Sequence, residues 1–183
     1  MDAKWIIVIV VAAVVVLALV AWALAMRARR RQELKDRFGP EYDRVVEDAD
    51  RRRDAERDLR ARAARRDEID VRDLSPAARD RYLGQWHDVQ AHFVDDPAMA
   101  TNEADSLIAT VMRDRGYPVD DFDTRAEMVS TDAPELVRHY RDAHEVWTRH
   151  QRGDANTEDL RNAMVHYRSV FEELVGSGSE SRA

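Results

Sequence analysis

Residues 5–26 read WIIVIVVAAVVVLALVAWALAM, 22 consecutive residues without a charged or polar side chain. As a helix such a run spans about 33 Å, which matches the ~30 Å hydrocarbon core of a bilayer. Its many Val and Ile residues lower helix propensity in water. In lipid an unpaired backbone amide costs several kcal/mol, so a spanning segment must be helical whatever its propensity. The run therefore predicts one N-terminal transmembrane helix. Trp5 opens it and Trp22 lies one turn from its end, where indole rings favour the headgroup zone.

The flanks give the orientation. Only Asp2 and Lys4 precede the run, whereas Arg27, Arg29, Arg30 and Arg31 follow it. A basic cluster on one side is retained in the cytoplasm, so these four arginines predict an outside N-terminus and a cytoplasmic C-terminal domain at the cell membrane. The alternative is a cleaved secretory signal, with Ala23-Leu24-Ala25 as its cleavage site. A signal has a shorter apolar region and its basic end comes first, so an uncleaved anchor is the stronger expectation.

The rest of the 183-residue chain is polar, and its charge is uneven. From residue 27 to 72 there are 16 basic and 13 acidic side chains; from 73 to the end there are 12 basic and 22 acidic. An acidic distal domain repels phosphates, so nucleic acid is not an expected partner. Cysteine is absent, which excludes disulfides, thiolate catalysis and Cys-bound metal.

Punctuation divides the chain into a transmembrane anchor with its basic flank (1–37), a charged stalk (38–72), an acidic helical domain (73–176) and a polar tail expected to be disordered (177–183). Phe38-Gly39-Pro40 should stop the first helix. Residues 41–68 then predict one continuous stalk helix, laced by the i,i+4 pairs Glu47–Arg51, Asp48–Arg52, Glu56–Arg60 and Asp58–Arg62. A heptad phased on Tyr42, Val45, Ala49 and Leu59 is spoiled by Arg52, Glu56 and Arg66. The stalk thus reads as a solvated spacer, or as a helix packed on the domain at its Tyr42–Val46 end, with homo-oligomerisation through it as the alternative.

Beyond Ser75-Pro76, apolar residues recur at helical spacing. The stripes are Tyr82, Trp86, Val89 and Phe93, then Ala104, Leu107, Ile108 and Val111, then Val137, Tyr140 and Trp147, then Leu160, Met164, Tyr167 and Phe171. Asp96-Pro97, Gly116, Thr131-Asp132 with Pro134, and Asn156-Thr157 mark the boundaries. No stretch alternates with period two for long enough to form a sheet. The expected fold is all-α: a compact bundle of four main helices plus a short one near Phe122–Val129.

The run Phe38-Gly39-Pro40-Glu41-Tyr42-Asp43-Arg44, with Trp86-His87-Asp88-Val89-Gln90, Phe93-Val94-Asp95-Asp96-Pro97, Arg115-Gly116-Tyr117-Pro118 and Tyr140-Arg141-Asp142-Ala143-His144, carries a resemblance. Over nearly its whole length the chain resembles a family of membrane-anchored actinobacterial proteins described as hypothetical or secreted. The resemblance implies a bacterial cell-envelope origin. It implies no activity.

Chemical motifs are weak. His87–His92 and His139–His144 are each five residues apart, which points the two rings of a pair to different helix faces. No HExxH, GxSxG or Gly-rich phosphate loop occurs. An EF-hand begun at Asp121 fails, because Arg125 and Ala126 stand where a ligand and the essential Gly belong. Asp95, Asp96, Asp120 and Asp121 adjoin helix starts and read as caps. Neither a metal, a cofactor nor a catalytic residue is expected. Tyr82, Trp86, Tyr140 and Trp147 lie on apolar stripes and read first as core; their alternative role is the wall of a groove for a partner. The expected function is a membrane-tethered, non-catalytic interaction module with a protein partner. The alternatives are an enzyme with a site between helices and an envelope protein acting on the bilayer through its Arg-rich stalk.

Overall fold

The structure is a computed structural model. It describes residues 3–176, with side chains from residue 13 onward. The Trp5 side chain and the 177–183 tail lie outside the described residues. Eight helices and no strand are present among the described residues: α1 (Ala3–Phe38), α2 (Pro40–Asp48), α3 (Arg52–Asp67), α4 (Pro76–His92), α5 (Pro97–Asp114), α6 (Phe122–Asp132), α7 (Val137–Gln151) and α8 (Thr157–Gly176). The protein is all-α, and its distal part is a helical bundle.

α1 runs without interruption from the apolar stretch through the arginine cluster to Phe38. Among the described residues no helix is long and apolar enough to cross a membrane. The side chains of residues 5–12, the first part of the apolar run, lie outside those described.

The stalk departs from expectation. Instead of one helix over 41–68 there are two, separated by extended backbone at Ala49 and Arg51. The break lets α3 fold back, so that Ala55, Leu59 and Ala63 pack on Leu34, Phe38, Tyr42 and Val45 in a small second core. Burying these side chains outweighs the i,i+4 pairs a straight helix would have kept. Arg44 takes Asp48 at 2.8 Å, while the pairs expected across the break, Glu47–Arg51 and Asp48–Arg52, do not form. Glu56–Arg60 and Asp58–Arg62 form as expected, at 3.2 and 2.6 Å. The stalk is a hairpin docked on α1 and not a solvated spacer. The apolar residues of its heptad are consumed within one chain.

The main core is built by α4, α5, α7 and α8. α8 packs against both α7 and α5, and α4 packs on α5 and also reaches α8 through Trp86. Local chemistry sets most helix starts. Ser75 Oγ accepts from the Ala78 amide at 3.2 Å, Asp96 from Met99 at 2.9 Å and Asp121 from Thr124 at 2.7 Å. Asn156 and Asp159 cap α8 reciprocally, each side chain accepting from the other's end of the turn. Asp96 and Asp121 are therefore caps, as their positions predict.

One boundary differs. Thr131 and Asp132 do not cap α7; they are the last residues of α6, and Thr131 Oγ1 donates to the Glu127 carbonyl at 3.0 Å. Pro134 disfavours helical backbone at Ala133, so α6 ends there and α7 starts at Val137. Gly116 closes α5 with φ +94°, and a Cβ there would meet the Asp70 carbonyl oxygen at 2.8 Å. This close approach holds the 68–75 linker against the end of α5, where the Arg72 amide also donates to the Arg115 carbonyl at 2.9 Å.

Tyr167 lies in the centre of the main core, with its hydroxyl buried and without a hydrogen-bond partner. Tyr167→Phe removes that unsatisfied group and fills the same space. Its expected effect is a gain of about 1 kcal/mol in unfolding free energy, read by urea denaturation of the full chain in detergent.

Candidate functional site

Three places bring together residues that could carry function. The first is the groove expected from Tyr82, Trp86, Tyr140 and Trp147. The structure puts three of them in the main core. Tyr82 donates to Asp114 at 3.0 Å, Trp86 stacks on Phe171 with ring centroids 4.7 Å apart, and the Tyr140 hydroxyl joins Arg125 and Asp105. Trp147 lies apart from them, half-buried and stacked on His150. The four therefore do not line a common groove.

The second is a cavity of about 220 Å³ where the folded-back hairpin meets the bundle. Met112, Met128, Val129 and Leu174 supply apolar walls, and Arg66, Arg115, Tyr117 and Asp132 supply polar ones. Arg66 holds the Asp132 carboxylate at 2.7 Å, and the Tyr117 hydroxyl donates to the same carboxylate. Arg115 donates to the Leu174 carbonyl at 2.8 Å, and both guanidinium groups lie beside the Tyr117 ring. Burial, reinforced by the hydrogen bond to Asp132, pushes the Tyr117 phenol up to about 12. It stays protonated near neutrality and is no base. Arg66, Tyr117 and Asp132 satisfy one another here, an arrangement for locking two parts of the fold together rather than for moving protons.

The third is a histidine pair that no single-helix spacing could reveal. His139 of α7 and His166 of α8 approach Nδ1 to Nδ1 at 2.8 Å, with their rings stacked. With Asp142 they place three ligand atoms within 4.8 Å of one another. Two nitrogens and a carboxylate oxygen suit a divalent cation, provided the rings part to the roughly 3.4 Å that two metal–nitrogen bonds require. The spacing of histidines within one helix does not encode this pair, which is made by the packing of α7 on α8.

Burial, then the nearby His139, holds His166 below the ordinary imidazole value; burial does the same to His144, whose ring stacks on Phe122. The folded state thus binds protons less readily than the unfolded chain. Stability from these groups is complete above the unfolded value of about 6.5 and falls as pH drops below it. His166→Asn should flatten the pH dependence of the unfolding midpoint between pH 6.5 and 5. An unchanged slope would remove His166 as its source.

The four arginines of the topology determinant sit at the end of the apolar run of α1. Arg27, Arg29 and Arg30 are exposed and Arg31 is half-buried. No protein family matches this chain, and no curated protein or solved structure matches it either.

Proposed function

We propose that the chain is a single-pass membrane protein of the bacterial envelope. Residues 5–26 of α1 cross the bilayer, Arg27, Arg29, Arg30 and Arg31 lie on the cytoplasmic side, and the bundle is a non-catalytic interaction module held there. One observation carries the proposal. Val14, Val15, Val16, Leu17, Leu19, Val20, Trp22 and Leu24 are 50–68% exposed around the whole circumference of α1. A helix that is apolar on every side needs an apolar surrounding. The cytoplasmic side follows from the arginine cluster. The resemblance to membrane-anchored envelope proteins agrees with the anchor.

Rigid attachment supports a module that presents a surface at a set distance from the membrane. α1 does not end in a flexible tether: Leu34 and Phe38 are buried, and Arg37 pairs with Asp67 at 2.6 Å. The non-catalytic reading is supported by the mutual pairing of polar groups in the interior cavity.

The expected behaviour is that full-length protein stays with the membrane pellet after alkaline carbonate and is released by detergent. A reporter fused to the C-terminus should be active only in the cytoplasm. Recovery from the medium of a mature chain beginning after Ala25 would refute the anchor. Activity of an exported reporter would reverse the orientation.

A further inference from the structure

The folding back of the stalk does something that a straight stalk could not. It carries the start of α3 alongside the segment of α1 where the apolar run gives way to arginines. Between the two helices lies a groove of about 560 Å³. Trp22 and Met26 line its apolar end, and Arg27, Arg30, Arg53 and Arg57 line its polar end together with Arg60. We propose that this groove binds the phosphate headgroup of an anionic phospholipid.

The charge balance of the groove is strongly positive. Five arginines face a single carboxylate, Glu56, which already accepts from Tyr42 and from Arg60, each at 3.2 Å. Arg57 has only an exposed partner, Asp54 at 3.1 Å, and such a pair is easily exchanged. Among the described residues Arg27, Arg30 and Arg53 make no ion pair, although acidic side chains are plentiful in this part of the chain. Guanidinium groups converging from two helices can hold phosphate oxygens in paired hydrogen bonds.

The apolar end selects a lipid over other phosphates. Trp22 and Met26 lie within about two turns of Arg27 and Arg30 on the same helix, so the groove presents apolar surface and unneutralised charge side by side. A diacyl phosphoglyceride offers the matching pair of chain and anion. A nucleic acid backbone or an acidic peptide has no acyl chain to lay on the Trp22 end. The source of the ligand is the bilayer itself, so the inference rests on the membrane anchor proposed above.

The test uses full-length protein in mixed micelles of phosphatidylglycerol and phosphatidylcholine with identical chains. Bound lipid is counted by native mass spectrometry. Wild type is expected to retain phosphatidylglycerol in preference. Arg53→Gln with Arg57→Gln, which leaves the topology-determining arginines intact, should weaken phosphatidylglycerol binding on the order of 25-fold, about fivefold per charge. Phosphatidylcholine binding should not change. Arg51→Gln with Arg52→Gln removes the same charge from exposed neighbours outside the groove and should leave the preference intact. An equal loss in that control would replace the groove with a diffuse field and overturn the proposal.

Displacement of the lipid by millimolar inorganic phosphate would also overturn it, by showing an anion site without lipid character. Circular dichroism of each variant confirms that the helices are retained. Carbonate extraction separates the two ideas. Protein that stays in the pellet but shows no lipid preference sinks only the groove, whereas protein lost from the pellet sinks the anchor.

Discussion

Glu41→Ala should lower the unfolding free energy by about 3 kcal/mol, through loss of the charge-assisted hydrogen bonds made by a buried carboxylate. Glu41 is almost inaccessible, in the first turn of α2. Its carboxylate accepts two hydrogen bonds from Arg44, at 2.8 and 2.9 Å, and one at 2.7 Å from Arg141, which lies 100 residues away on α7. Arg62 stands 3.9 Å off. One side chain thus ties together α2, α3 and α7; its loss takes the carboxylate from Arg141, while Arg44 keeps Asp48 and Arg62 keeps Asp58.

The same site sets an acid limit. Burial alone would raise the Glu41 carboxyl, but the hydrogen bonds and charges of Arg44 and Arg141 outweigh burial and bring it down to about 2. Its folded value lies below the unfolded value, so the unfolded chain binds the proton first. The stabilisation is complete above about pH 4.5 and is lost as pH falls toward 2, a change on the order of 3 kcal/mol. Urea denaturation at pH 7, 4 and 2.5 should show that loss in wild type, and Glu41→Gln should show a much flatter profile. Equal profiles would mean that the carboxylate contributes nothing through its charge.

Arg125→Ala is the second large effect, about 3–5 kcal/mol. Arg125 Nη2 meets Asp105 at 2.7 Å and Nε meets the Tyr140 hydroxyl at 2.7 Å, while that hydroxyl donates to Asp105 at 3.2 Å. The three groups close a buried triangle across α5, α6 and α7. Burial first, then the Asp105 charge, pushes the Tyr140 phenol upward, so it remains a neutral donor at every physiological pH. Removing Arg125 leaves the half-buried Asp105 carboxylate without its guanidinium partner. Asp105→Ala combined with Arg125→Ala should cost less than the sum of the single changes, with a coupling of about 1–3 kcal/mol measured by a double-mutant cycle. Strict additivity would show that the triangle has no cooperative energy.

These networks give the resemblance-bearing motifs a physical content. In residues 38–44, Phe38 fills the second core and Gly39 turns the chain with φ +47° against Pro134. Pro40 starts α2, and Glu41 is the node just described. Tyr42 is buried with its hydroxyl on Glu56, Asp43 pairs with Lys35 at 3.6 Å, and Arg44 completes the Glu41 site. In residues 115–117, Gly116 gives the linker room and Tyr117 closes on Asp132. Every residue of this first stretch has a structural role.

What could be read in the chain alone was what depends on near neighbours. The apolar run, the arginine cluster, the caps at Ser75, Asp96 and Asp121, and the helical stripes of α4, α5, α7 and α8 are all written within a few residues of one another. Hydrophobic period and capping chemistry are local properties, and they sufficed for an all-α chain with a bundle. The break at residues 49–51, the burial of Glu41, the histidine pair and the arginine groove depended on which helices come to lie side by side. Each trades a locally favourable choice, such as an unbroken charged helix, for contacts between residues tens of positions apart. That balance is struck by buried area and by the cost of desolvating charge, and neither quantity exists until the helices have packed.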